Sequence, residues 1–302
     1  MNLYDVIIIG GGPAGLNAAV VLGRCRRKVL LFDSGKPRNR HSSGVHNYLT
    51  RDDILPRDFL HLSHKEIKKY GVRLLHIEVT GATKNEKGFF TVTDRTGVLY
   101  NAKKILIATG LTDTLPPLKG FEKFFGKSVF HCPYCDGWEV KDKQLGVYAR
   151  NKNGVELALS LITWSRSVTY FSDGKKNLKP EEARILKQIG IPVITGEIQK
   201  LRGVGGKLKS IVLKNEEICP CDALFFVNGY SQQSHIIENL GCILNKQKVV
   251  VTNRFGQTNI PGVYVAGDAS RDMHFVVVAG AEGAKAGVTI NKELQKEERN
   301  IG

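Results

Sequence analysis

The chain has no apolar run approaching the length of a membrane helix, and strand-like sequence begins at residue 4. The expectation is a soluble, cytoplasmic, unprocessed protein with no membrane partner. Cysteine is sparse, at 6 of 302 residues, which argues against a disulfide-stapled scaffold. The histidines show no metal-ligand spacing, and no metal site is expected. Acidic residues are outnumbered 29 to 44 by Lys and Arg, giving a net charge of +15. No aromatic-basic module accompanies that charge, so nucleic acid is not the expected partner. The charge suits solubility or the steering of an acidic protein or anionic substrate. With 42% hydrophobic residues the chain can bury a substantial core, in one large or two medium domains.

What is present begins with Asp5-Val-Ile-Ile-Ile-Gly10-Gly11-Gly12-Pro13-Ala14-Gly15. Val6 to Ile9 reads as a buried strand, Pro13 to Gly23 as a helix and Lys28 to Asp33 as a second strand. This βαβ start implies a parallel sheet. Gly10 suits the tight turn, Gly12 the approach of backbone to a pyrophosphate, and Gly15 the packing of helix on strand. The helix N-terminus then offers amides and its positive dipole end to phosphate. Asp33, 23 residues after Gly10, ends the second strand where an acid can accept ribose hydroxyls.

Shifted by 139 positions, the motif returns damaged as Gln144-Leu-Gly-Val-Tyr-Ala149-Arg150-Asn151-Lys152-Asn153-Gly154. The units align without gaps: Val29 meets Val168, Phe32 meets Phe171 and Gly35 meets Gly174. This internal repeat implies two related domains. Residues 34–50 read as loop, 73–107 as several strands, Thr114 to Leu118 as a linker and Val276 to Leu294 as an apolar helix. Phe225 to Gly229 closes the second domain, and the chain returns to the first at Val263-Tyr-Val-Ala-Gly267-Asp268. The expected fold is α/β, with two Rossmann-like three-layer domains, the second inserted in the first. Residues 1–114 and 230–302 form the first domain and 115–229 the second.

Between the two motifs lies His131-Cys132-Pro-Tyr-Cys135-Asp136-Gly137. The spacing fits a redox dithiol at the start of a helix. Half a zinc site and inert thiols are the competing readings. Zinc needs two more ligands, and the nearest pair, Cys219 and Cys221, has the wrong spacing. His131 is placed to act as a base, or else packs. Asp136 is placed to shuttle a proton, or else caps the helix. Cys25, Cys219, Cys221 and Cys242 are expected to be packing residues.

Gly10 to Gly15, Ile107-Ala-Thr-Gly110, Cys132-x-x-Cys135-Asp136-Gly137 and Ala266-Gly-Asp268 appear in the order and spacing of low-molecular-weight thioredoxin reductases. The chain resembles that family over nearly its whole length. The resemblance implies FAD in the discontinuous domain, NADPH in the inserted one and a homodimer. It implies FAD contacts at Gly10, Gly12, Pro13, Ala14, Gly15, Asp33, Asn47, Val79, Thr109, Gly110, Gly267 and Asp268, with Asp268 at the ribityl chain. It also implies that Cys135 faces the flavin, that Cys132 exchanges with the partner's sulfur and that Asp136 is the general acid/base.

The departures bear on the electron source. Ala149, Arg150 and Asn151 stand where the family's NADPH loop has glycines, and Ser172-Asp173-Gly174 replaces the His-Arg-Arg that grips the 2′-phosphate. Arg150, Lys152, Lys175 and Lys176 are the residues from which a phosphate site would have to be rebuilt. NADPH is therefore not the expected electron source. His131 before the dithiol and Gly137-Trp138-Glu139 after it are similar to the dithiol oxidases that close disulfides in gliotoxin and holomycin, although several of those carry His where this chain has Asp136. The expectation is an FAD-dependent thiol–disulfide oxidoreductase, in the oxidase direction a dithiol oxidase using oxygen. Its partner would be a small dithiol or a thioredoxin-like protein. The alternatives are a disulfide reductase fed by NADPH or by an acidic ferredoxin or flavodoxin, and an FAD-binding redox sensor without turnover.

Overall fold

The computed structural model describes residues 3–150, 153–175, 178–227, 229–271 and 273–299. The chain divides into two compact units. One contains residues 1–40, 47–112 and 231–302; the other contains 41–46 and 113–230. The six-residue segment 41–46, read from sequence as part of the first domain's loop, groups with the second unit.

In the first unit Leu3–Ile9 lies between the parallel strands Val29–Phe32 and Leu99–Ile107, and Arg73–Leu75 extends the sheet beyond Val29–Phe32. Leu99–Ile107 is long enough to change neighbours midway. Its first half pairs antiparallel with Phe90–Asp94, which in turn pairs with Val79–Lys84. Its second half pairs parallel with Val263–Val265. The central strands are apolar on both faces, as a sheet covered twice requires. Ile7, Ile9, Leu30 and Phe32 enter one core cluster with Phe90, Ile105 and Val265. Val6, Ile8, Val29 and Leu31 enter another with Leu16, Ala19, Leu22 and Ile290. This alternation of period two on each strand produces three layers.

The second unit repeats the plan. Its parallel sheet runs Val193–Ile194, Val168–Phe171, Leu145–Ala149, Ala223–Val227, Val129–Phe130. Leu145, Val147, Tyr170 and Phe225 face one core and Tyr148, Phe171, Leu224 and Phe226 the other. The repeat is visible in the pairing: Val6 opposes Val29 in the first unit, and Leu145 opposes Val168, each shifted by 139, in the second. An antiparallel sheet of Ile198–Val204, Lys207–Leu213 and Ile218–Pro220 completes the unit.

The helix Val276–Arg299 packs on the helix Pro13–Arg24 through Gly280, Gly283 and Gly287, whose spacing of three and four places them on one face. Asn17 Nδ2 donates to the Gly280 carbonyl at 2.7 Å. A Cβ at Gly283 would strike the Ala14 backbone, whereas one at Gly81 would meet nothing nearer than Thr93 at 3.9 Å. Gly283→Ala should therefore lower unfolding free energy by about 1–3 kcal/mol. Gly81→Ala should change it by less than about 0.5 kcal/mol. Equal urea midpoints for the two variants would refute the close packing of these helices.

Candidate active site

The glycine turn is shaped by what surrounds each bare α-carbon. Gly10 has φ +120°, and a Cβ there would run into the Ala108 carbonyl. A Cβ at Gly11 would meet the Asp33 carboxyl, and one at Gly15 the Gly10 carbonyl. Gly12 differs: nothing lies within 4 Å of where its Cβ would be. Gly12 is also the N-cap of the helix Pro13–Arg24, with Pro13 in its first turn. The turn is thus closed by protein on three sides and open at the position that borders the helix amides. Pro13 supplies no N–H there, but its fixed φ suits a helix start.

Asp33 is buried, at 7% exposure. Its Oδ1 accepts the Gly35 amide at 2.9 Å, and its Oδ2 lies 3.6 Å from His64 Nε2 and 4.0 Å from His76 Nδ1. Burial, opposed in part by Asp33, holds His64 below its ordinary value. The backbone at Ala108 donates to the Ile9 carbonyl at 2.8 Å, carrying Thr109 and Gly110 off the end of the central strand. Thr109 Oγ1 is buried without a hydrogen-bond partner among the described residues. Gly267, at φ +79°, brings its α-carbon against the Ala14 side chain, where an added Cβ would come within 3.0 Å. Asp268 follows directly and accepts from Arg38 Nη1 at 3.0 Å, with both side chains largely buried.

Gly10, Gly12, Pro13, Ala14, Gly15, Asp33, Thr109, Gly110, Gly267 and Asp268 are thus joined through contacts at the carboxyl ends of parallel strands. Val79 begins its strand within the core cluster that contains Ile9 and Phe32. Asn47 is exposed at φ +62°, its amide held by Asp52 Oδ1 at 2.8 Å. An open helix N-terminus, a buried acid and an orphaned hydroxyl fit a dinucleotide such as FAD. Arg38 is not singled out by the sequence, and its ion pair with Asp268 reveals it.

In the second unit Cys132 and Cys135 form a disulfide with Cα atoms 5.3 Å apart. Cys132 is the N-cap of the short helix Pro133–Asp136, and its carbonyl accepts the amides of Cys135 and Asp136, each at 3.2 Å. Both cysteines are half-buried. Asp136 is 8% exposed, and its carboxyl is pushed up to about 7 by burial and then by the nearby Glu139 charge. It can therefore hold or release a proton near neutrality. His131 is exposed, with its ring 6.2 Å from that of Phe226. Tyr134 and Trp138 are exposed at 66% and 67%. Tyr134 meets Trp164 edge to face, and Lys141 Nζ sits 3.4 Å from the Trp138 ring centre. Of the other cysteines, Cys219, Cys221 and Cys242 are buried, and burial raises each thiol's pKa. Cys25, read from sequence as a packing residue, is exposed because it caps the C-terminal end of the helix Pro13–Arg24.

The second glycine turn is built differently. Ala149 stands at the position equivalent to Gly10 and is buried, and a Cβ at Gly154 would collide with its methyl group. Ser172 stands where Asp33 does in the first unit, with a buried hydroxyl lacking a hydrogen-bond partner among the described residues. The next residue, Asp173, accepts from Tyr148 Oη at 3.2 Å and from the Ile198 amide at 2.8 Å. Arg150 Nε lies 3.8 Å from Asp173 Oδ2. Burial and Asp173 together push the Tyr148 phenol up to about 12. Asn151, Lys152 and Lys176, named above for this loop, lie outside the described residues.

The pyridine nucleotide-disulphide oxidoreductase family matches residues 4–283. A protein named probable thioredoxin reductase from Arthroderma benhamiae is 32% identical over 97% of this chain and 81% of its own. A thioredoxin reductase from Listeria monocytogenes is 29% identical over 98% and 95%. Among solved structures, TrxB from Bacillus anthracis superposes with a TM-score of 0.93 at 34% identity, over 98% of this chain and 99% of that one. HlmI does so at 0.95 and 33%, over 99% and 94%. With a glycine turn and buried acid suited to the FAD of this family in one unit and a disulfide beside a protonatable carboxyl in the other, the chain belongs to the pyridine nucleotide-disulphide oxidoreductases, as a thioredoxin reductase-like oxidoreductase acting on sulfur groups.

Proposed function

We propose that this protein is an FAD-dependent thiol–disulfide oxidoreductase that does not draw electrons from NADPH, and that it works as a dithiol oxidase. The observation that carries the reading is the contrast between the two glycine turns. The first keeps an open edge at Gly12 and an acid at Asp33. The second has a methyl group at Ala149 and a serine in place of the acid, and its Arg150 already faces Asp173. A phosphate entering there would compete with a carboxylate for the arginine and be repelled by it.

FAD would be held by the residues from Gly10 to Gly15, Asp33, Thr109-Gly110 and Gly267-Asp268, with Asn47 and Val79 assigned by family resemblance alone, and would supply the chemistry that accepts an electron pair and passes it to dioxygen. The protein's own part is sulfur exchange. A substrate thiolate attacks Cys132 and breaks the Cys132–Cys135 bond, releasing the Cys135 thiolate. The second substrate thiolate then displaces Cys132, so the substrate leaves as a disulfide and the enzyme is left as a dithiol. Each attack requires a thiol to lose its proton, and Asp136, with His131 nearby in sequence, is the group assigned to take it. Closure of Cys132 and Cys135 yields two electrons and two protons. Dioxygen consumes both, and the net products are a disulfide and peroxide. The substrate is a small dithiol or a thioredoxin-like protein. The +15 charge favours, as a second reading, a reductase served by an acidic ferredoxin or flavodoxin. Homodimeric assembly rests on the family. A cytoplasmic setting rests on the low cysteine count, and among the described residues no helix is long and apolar enough to cross a membrane.

Anaerobic NADPH should leave the flavin absorbance of the purified protein intact, and a dithiol should bleach it. Rapid bleaching by NADPH would overturn the reading. Cys132→Ser and Cys135→Ser should each retain FAD and lose dithiol turnover. The rate of dithiol attack should show an inflection near the Asp136 value of about 7, rising as the carboxylate forms. Asp136→Asn should remove that inflection and slow attack roughly 100-fold. An unchanged pH profile in this variant would exclude Asp136 as the base.

A further inference from the structure

The segment 41–46 belongs to the same compact unit as the disulfide, although more than 80 residues separate them in sequence. Its anchoring is specific. The α-carbon of Gly126, at φ +73°, lies against the His41 carbonyl with no room for a Cβ, and the His41 ring meets Phe125 at 5.7 Å. Val45 is buried. The segment ends at His46, whose side chain is 10% exposed and whose Nδ1 lies 3.8 Å from Glu139 Oε1. His46 Nε2 is buried without a hydrogen-bond partner among the described residues.

Among the described residues, the Glu139 charge adds to burial in raising Asp136. The helix packed against Pro133–Asp136, Asn153–Leu161, brings only Glu156, which is exposed. His131 precedes the disulfide, and Lys141 is engaged over Trp138. We propose that His46 is a positioning residue for the dithiol chemistry: it holds the Glu139 carboxylate in place beside the Pro133–Asp136 helix. The proposal rests on the thiol–disulfide reading for its purpose, but its electrostatics stand apart from turnover. His46 thereby sets where Asp136 exchanges its proton, acting only through Glu139.

That "only through" gives the test. Asp136 protonation is followed in the oxidised protein by the infrared band of its neutral carboxyl, assigned by its absence in Asp136→Asn, between about pH 5 and 9. The same pH series is run for anaerobic bleaching by dithiothreitol. Glu139→Gln should lower the Asp136 midpoint by about one unit. His46→Gln should move it by about half a unit, because Glu139 is then no longer held. The double variant should match Glu139→Gln alone. An unmoved midpoint in His46→Gln, or a double variant that keeps the His46 effect, overturns the proposal. Should His46→Gln not fold, an unmoved midpoint in Glu139→Gln overturns it equally. If dithiothreitol fails to bleach the wild type at any pH, the thiol–disulfide reading falls, while the infrared midpoints still decide the role of His46.

Discussion

The nucleotide-binding unit depends on backbone meeting backbone. Gly15 lies against the Gly10 carbonyl, Gly283 against the Ala14 carbonyl and Gly10 against the Ala108 carbonyl. At each of these points a single methyl group would hold two elements apart. Their absence lets the helix Pro13–Arg24 sit close to the sheet with its first turn at the strand ends, where its unpaired amides can face a phosphate. Burial of Val6, Ile8, Leu16 and Leu22 supplies the cohesion, but the placement is set by the residues that have no side chain.

The two units share one frame and differ at the glycine turn. Gly15 and its counterpart Gly154 are both retained, and both bare α-carbons face the start of the turn. The packing of helix on strand demands that glycine whether or not a ligand is bound. Gly10 and Asp33 are not retained: Ala149 and Ser172 occupy their places. What the two turns share is the glycine that packing of helix on strand needs; the glycine of the tight turn and the acid after the second strand differ.

Much of this was legible in the sequence. The glycine spacing, the acid at Asp33, the 139-residue repeat and the paired cysteines each follow from local pattern, and local pattern is what a sequence displays. The strand pairing of Val6 with Val29 and of Leu145 with Val168 follows from the same repeat. The sheet from Ile198 to Pro220 was not read, because Gly203, Gly205, Gly206 and interspersed lysines break its alternation. The pairings of Arg38 and of His46 are hidden for another reason. Each residue sits in a polar loop without periodicity and finds its partner, Asp268 or Glu139, about 230 or 93 positions away. Nothing in composition or spacing links such pairs, and only the folded chain does.

The ion pair between Arg38 and Asp268 joins residues about 230 positions apart in sequence. The site that would take FAD draws on residues near positions 10, 33, 109 and 268, so it does not exist until residue 268 has been made. The disulfide-bearing unit, by contrast, is complete once residue 230 has left the ribosome. On the ribosome the two halves of the redox machinery therefore mature at different times. The thiols can fold, and be oxidised or reduced by whatever surrounds them, well before the colour of the finished enzyme can appear.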